Sequence, residues 1–357
     1  MKHLKLILKT LISNNACVEA ARTRELKYNI IAIVFALFAL FFASMPTCVT
    51  GFQQQGGAWL RGYTYSFDTG MMDFGNSAEE KDVTFSLTEN SENHRHCLTA
   101  SDNWNTVMPA HYDGHDNLHF FRSMNKDGTT RILEIFVCNE DSEEGFAKYV
   151  ADIVNNLDPT EGHDHDIKNS ANWLETTKDK DGNDILKPRS TSFLVFGRYN
   201  VQGVIFQPDN TNVGSSSYGD YDHVDLTDNL IPTLYTKNNN TKTLEQCQSF
   251  FDKVFINPRF RNTWRSTGII LGVDAGIVIL MGFLVWLLTR GKNNPFRIYT
   301  IWDSQKIAYY ASFTPGLIAL FGFLMQNMAM MLFILGVGVR VMWLSMRTLR
   351  YQAPASN

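Results

Sequence analysis

Long apolar stretches bracket an acidic middle, and this arrangement leaves few folds open to the chain. Residues 51–265 carry 32 Asp and Glu against 19 Lys and Arg, whereas the remainder carries 13 Lys and Arg against 4 Asp and Glu. The whole chain of 357 residues nets only −4, so the imbalance is one of placement. Basic flanks around apolar runs mark cytoplasmic ends of membrane segments, and an acidic block between them reads as a domain on the other side.

Asn29 to Thr50 holds no charged residue and is long enough to cross a hydrocarbon core of about 30 Å. The leader before it, of about 27 residues, is longer than a secretory signal normally carries, so residues 28–50 read as a retained first span. Met45-Pro46-Thr47-Cys48 lacks the leucine a lipid-attachment cysteine requires. A second span covers 266–289, with Arg259, Arg261 and Arg265 before it and Arg290, Lys292 and Arg297 after it. Residues 308–346 are too long for one helix, and Gln326-Asn327 offers a turn between a third and a fourth span. Four spans place both termini on one side, and the basic residues of 1–27 and 347–357 make that side cytoplasmic, with 290–307 as a cytoplasmic loop. The expected fold is a multi-pass α-helical plasma-membrane protein with an inserted extracytoplasmic α+β domain at 51–265.

In the leader, Leu4, Leu8, Leu11 and Ile12 interleave with Lys5 and Lys9 at helical spacing, as in an amphipathic interfacial helix, and Ser13-Asn14-Asn15 interrupts it. Within the middle block, 83–87, 118–121, 131–138, 192–196 and 201–206 read as strands, the last two joined as a hairpin through Gly197-Arg198-Tyr199-Asn200. Helical periodicity marks 143–157 and 243–255, and the polar stretches 158–184 and 209–228 read as surface loops.

Chemistry-bearing motifs are sparse. Cys97, Cys138 and Cys247 fall in the outer domain, an odd number; one bridge, Cys97 to Cys138, and buried free thiols are both open readings. His111, His115 and His119 form a candidate metal set near Asp113 and Asp116, against which stands a plain reading as surface histidines. Asp179-Lys-Asp181-Gly-Asn-Asp184 starts like a calcium loop, but its glycine comes too early and the closing Glu is missing. Gly-x-Ser-x-Gly, GxGxxG and GxxxxGK[ST] are absent, so no hydrolase or nucleotide site is expected, no cofactor is assigned, and the acidic exterior disfavours nucleic acid.

The spans carry more. Gly268, Gly272 and Gly276 recur every fourth residue and form a helix-packing seam, with Asp274 about 200° away from it. In the last span Arg340 shares a stripe with Gly336, Trp343 and Arg347, deep enough that it must snorkel, pair or face water. Pro315-Gly316 is placed to bend the third span.

The order of parts resembles an uncharacterised family of bacterial membrane proteins labelled maltodextrin utilisation proteins. The likeness rests on Leu4 to Ala21 running into the first span, on Ser192 to Pro208 as a strand pair, on Asn294-Pro-Phe-Arg-Ile-Tyr and on Ser312-Phe-Thr-Pro-Gly316. It implies an accessory protein linked to carbohydrate uptake, without an established reaction. The expected role is thus a non-enzymatic accessory or scaffold subunit, in contact with the bilayer and with another membrane protein or a second copy of the chain. The alternatives are a membrane-tethered extracytoplasmic metal-dependent enzyme and a small transporter or insertase.

Overall fold

Helices occupy both ends of the chain and strands its middle, as the apolar and acidic blocks demand. The computed structural model describes residues 2–61, 67–107, 110–112, 115–126, 128, 131–138, 140–154, 174–178, 182, 184–188, 192–206, 213–291, 294–322 and 328–349. The leader forms α1 (Lys2–Thr10) and α2 (Asn14–Arg22), followed by α3 (Leu26–Gln53). Next come α4 (Phe67–Glu80), β1 (Phe85–Glu89), β2 (His96–Ala100), β3 (Ala110–Tyr112), β4 (His115–Met124), β5 (Arg131–Cys138) and α5 (Glu143–Val154). They are followed by β6 (Leu174–Lys178), β7 (Asp184–Pro188), β8 (Ser192–Gly197), β9 (Asn200–Phe206), β10 (Val213–Asp220), α6 (Ile231–Leu234) and α7 (Asn240–Val254). The chain closes with α8 (Ile256–Leu288), α9 (Ile301–Leu320) and α10 (Ala329–Trp343), which ends in a π-turn at Leu344–Thr348. Two units result, Met1–Gln53 with Phe260–Asn357, and Gln54–Arg259.

In the helical unit, α3 turns Ala32, Ala36, Ala39 and Ala43 inward at i, i+4, i+7 and i+11. These short side chains let α9 come close enough that a Cβ on Gly316 would lie 2.7 Å from the Ala39 Cα. Tyr28 and Phe35 meet Tyr310 and Phe313, and Ala39 meets Gly316, so α3 and α9 run in the same direction. Helix α10 returns antiparallel to α9, with Ala329 against Gly322 and Gly336 against Pro315. Helix α9 continues through Pro315 to Leu320. The turn predicted at Gln326-Asn327 lies outside the described residues.

Among the described residues three helical segments are long and apolar enough to cross a membrane: Leu26–Gln53, Ile256–Leu288 and Ala329–Thr348. Their outer faces expose Ile33, Leu37, Phe38 and Phe41 on α3, and Ile279, Leu280, Phe283 and Leu287 on α8, surface suited to lipid contact. The protein is therefore membrane-embedded and mostly helical, with a separate sheet-bearing unit. Helix α9 is not among the three segments. Its first turns hold Asp303, Ser304, Gln305 and Lys306, and it buries most of one side against α2, α3 and α10.

Three of those polar residues, Asp303, Gln305 and Lys306, find specific partners. Thr300 and Asp303 form a reciprocal capping box, each side chain accepting from the other's backbone N–H at 3.1 Å. Lys306 is 1 % exposed, and its Nζ sits 3.2 Å from the Asp303 carboxylate. Gln305 donates to the Ile279 carbonyl of α8 at 2.9 Å.

The second unit is built on a mixed six-stranded sheet of order β10-β9-β8-β5-β4-β3, with a separate hairpin β1-β2 and another, β6-β7. Among the described strands only β5 and β8 pair in parallel, which requires the long crossover that holds α5, β6 and β7. Strand β8 is buried throughout, as a centre strand should be, and it pairs with β9 as the predicted hairpin. Aromatic rings of Phe67, Phe74, Phe85, Phe136, Phe193 and Phe196 fill the core. Within the sheet the fully buried Glu134 is held by its register partner Arg122, Nε to Oε1 at 3.0 Å.

The stretches expected to be loops contain strands. Val213–Asp220 pairs with β9 as an edge strand, and Gly219 lets the Val254 carbonyl of α7 press directly on its backbone. The segment Leu174–Lys178 pairs with Asp184–Pro188, and Gly182, at φ +84°, lies in the turn that was compared with a calcium loop. The rest of 179–183 lies outside the described residues.

Breaking the Asp303–Lys306 pair leaves a buried ammonium without a counter-charge. Asp303→Ala is expected to cost about 3–5 kcal/mol in unfolding of the detergent-solubilised protein, and Asp303→Ala with Lys306→Met to recover most of the loss.

Candidate functional site

Arg340 marks where the two ends of the chain meet. It sits near the end of α10, among residues of an apolar helix, so its guanidinium has to find acceptors within the protein. Its Nη1 donates to the Ala311 carbonyl of α9 at 3.1 Å, and its Nε to Asn14 Oδ1 at 3.2 Å. Its Nη2 donates to the Thr10 carbonyl and lies 3.6 Å from the Cys17 Sγ. The Thr10 carbonyl belongs to the last turn of α1, where the helix dipole places negative charge. The Thr314 hydroxyl adds a hydrogen bond to the Leu11 carbonyl.

Ser13 caps α2 by accepting from the Ala16 N–H, so the polar break read in the leader is a turn that starts a second helix. That helix buries Ala16, Cys17, Val18, Ala20 and Ala21. Burial pushes the Cys17 thiol up to about 11 even with Arg340 beside it, which keeps it protonated and unreactive. Leu4, Leu8 and Ile12 stay exposed along the leader.

The other residues singled out in the spans fall on opposite faces of α8. Gly268, Gly272 and Gly276 face outward, and among the described residues no atom lies within 4 Å of where a Cβ would stand on any of them. Asp274 faces inward, fully buried, and its carboxylate is not paired with Arg340. Glycines elsewhere in the bundle are in use: Gly282 makes room for Gln305, Gly316 for the α3 backbone and Gly322 for α10.

In the sheet-bearing unit, β3 and β4 set His111 opposite His119, and Tyr112 opposite His115. The side chains of these three histidines, and Asp113, lie outside the described residues. Among the described residues no three His, Cys, Asp or Glu side chains converge as metal ligands. All five cysteines are free thiols; Cys97 lies in the β1-β2 hairpin and Cys138 at the end of β5 in the six-stranded sheet, and no bond joins them. Burial raises the Cys138 thiol to about 11.

A polar cluster that sequence reading missed ties the loop after β10 to the first turn of α8. Asn257 donates to Asp220 Oδ1 at 3.0 Å and pairs with the His223 Nε2 at 2.9 Å, while the His96 N–H donates to Asp222 at 3.2 Å. Burial, reinforced by Asp222, raises the Asp220 carboxyl above its ordinary range. Nearby, a groove of about 350 Å³ runs between α7 and residues 224–233, lined by Leu230 and Phe250 and edged by the Asp225–Lys253 ion pair. His96 and Asn257 lie far in sequence from Asp220, Asp222 and His223, so no local motif announces the cluster.

Comparison with family models, with characterised proteins and with solved structures finds no match to this chain.

If Arg340 holds the leader, Arg340→Leu should cost about 2–4 kcal/mol and expose Cys17. Maleimide labelling of the intact protein, read on the Cys17 peptide, is expected to be blocked in the native chain and rapid in the variant. Continued protection would show that the leader docks without the guanidinium.

Proposed function

We propose that this protein is a non-enzymatic accessory or scaffold subunit of a plasma-membrane complex, with both termini in the cytoplasm and residues 51–265 displayed outside. Support comes chiefly from α8. Inside the bundle glycines serve close helix contacts, yet Gly268, Gly272 and Gly276 form a shallow groove on an apolar face with no partner among the described residues. Such a groove suits a helix of another membrane protein, or of a second copy, at a backbone separation that larger side chains forbid.

In this reading α9 is the fourth span. Twenty residues of helix give about 30 Å, and its course parallel to α3 and antiparallel to α10 fits alternating directions across the bilayer. The charge balance on either side of the spans favours the assigned sidedness. A link to carbohydrate uptake rests on the family resemblance alone.

Native electrophoresis in mild detergent tests the role. The native chain is expected to migrate in a larger assembly, and Gly272→Leu to release it while the thermal unfolding of residues 54–259 is unchanged. Identical migration of the two would remove the proposal. Sidedness has its own check: protease added to intact cells should cut within 51–265, and cutting only after permeabilisation would reverse the topology.

The register that sets His111 opposite His119 favours a second reading, a membrane-tethered metal-dependent enzyme. Metal analysis of the purified full chain separates the two, since that reading requires a bound transition metal. A transporter built on Arg340 has less to recommend it, because all three guanidinium nitrogens are already engaged by the leader and α9.

A further inference from the structure

The inner face of α8 carries polar groups that the bundle leaves unanswered. Thr263, Thr267 and Asp274 follow at i, i+4 and i+11, a spacing that stacks them along one side of the helix, and the same side continues through the buried Val278 and Val285. All three polar residues are enclosed, at 3 %, 7 % and 0 % exposure. Among the described residues neither hydroxyl and neither carboxylate oxygen has a hydrogen-bond partner. The glycine groove lies on the far side of the helix, so a partner seated there does not reach Asp274.

The charged groups of the neighbouring helices are committed elsewhere. On α9, Lys306 is held by Asp303, and the Tyr310 hydroxyl donates to the Tyr28 carbonyl at 2.7 Å. On α10, Arg340 is bound by the leader, and Arg347 lies over the Trp343 ring. On α3, Lys27 pairs with Glu25 at the end away from Thr263, leaving Cys48 as the titratable group near the other end. Tyr309 of α9 lines a cavity of about 340 Å³ between α3, α8 and α9, together with Ala275 and Val278 in the turn that follows Asp274.

A lone carboxylate in apolar surroundings, without a cation or donor, favours its neutral form. A divalent cation would ask for about six or more oxygens, and Thr263, Thr267 and Asp274 offer two hydroxyls and one carboxylate spread over three turns. We infer that Asp274 is a proton-binding site of the bundle, its carboxyl carried protonated on the buried face of α8 that Thr263 and Thr267 share. This goes beyond the accessory role and does not depend on any partner.

Dicyclohexylcarbodiimide, an apolar reagent that consumes protonated carboxyl groups, tests the site in the full chain in detergent micelles. The carboxyl O–H adds across one C=N bond, oxygen to carbon and proton to nitrogen, and the acyl group then migrates to nitrogen to leave a stable N-acylurea. The peptide containing Asp274 is expected to gain one carbodiimide at mildly acidic pH. Labelling should fall about tenfold for each pH unit above the titration of the group. Asp274→Asn should abolish it without lowering Tm, because the amide is neutral like the protonated acid. Asp303, ion-paired and capped, serves as the unlabelled control in the same digest. Lack of labelling at every pH with the peptide recovered, labelling indifferent to pH, protection by sodium ion at fixed pH and ionic strength, or a destabilised Asp274→Asn variant would each overturn the assignment.

Discussion

Close approach of the α3 and α9 backbones, made possible by Ala39 and Gly316, sets the conditions for the rest of the helical unit. Once α9 is drawn into the bundle, the polar groups on its buried side lose access to water and call for partners within the protein. The capping box at Thr300, the Asp303–Lys306 pair and the hydrogen bond from Gln305 to Ile279 all answer that demand. The Ala311 carbonyl and the Thr314 hydroxyl meet it on the other side, and they do so with Arg340 and the leader. Small side chains thus bring in the polar contacts indirectly, by leaving no room for solvent.

The same logic explains why a basic residue is tolerated on α10. A guanidinium in apolar surroundings is costly unless its donors are filled, and the Thr10 carbonyl at the end of α1, the Asn14 amide oxygen and the Ala311 carbonyl of α9 fill them. The leader therefore serves as a structural part of the helical unit as well as a basic flank. Helix α8 behaves differently. Its inner face keeps Thr263, Thr267 and Asp274 covered, and its outer face keeps three glycines open, both without partners among the described residues.

Much of the middle block was legible because burial imposes a period. Strand β5 was read at its observed limits, β8 and β9 were read as a hairpin from their apolar runs and Gly197-to-Asn200 turn, and α5 and α7 from apolar residues at helical spacing. Helix α4 was missed because glycines at 70 and 75 hide a buried face whose signal is close packing on Leu133 and Tyr235 instead of apolar bulk. Strand β10 was missed because an edge strand of Ser, Gly and Tyr has the composition of a loop, and its pairing comes from β9 and α7.

Among the site residues, the sequence by itself determined kind and spacing: three glycines on one face of α8, Asp274 on the other, and an arginine too deep in an apolar run to remain unmatched. Helical periodicity suffices for that, since side-chain direction along a helix is a local property. Which groups meet Arg340 was decided only by the tertiary structure, because Thr10 and Asn14 lie more than 300 positions away and a backbone carbonyl leaves no mark on residue identity. The same holds for the fate of α9, whose Lys306 and Gln305 look unsuited to a buried helix until Asp303 and the Ile279 carbonyl are brought beside them.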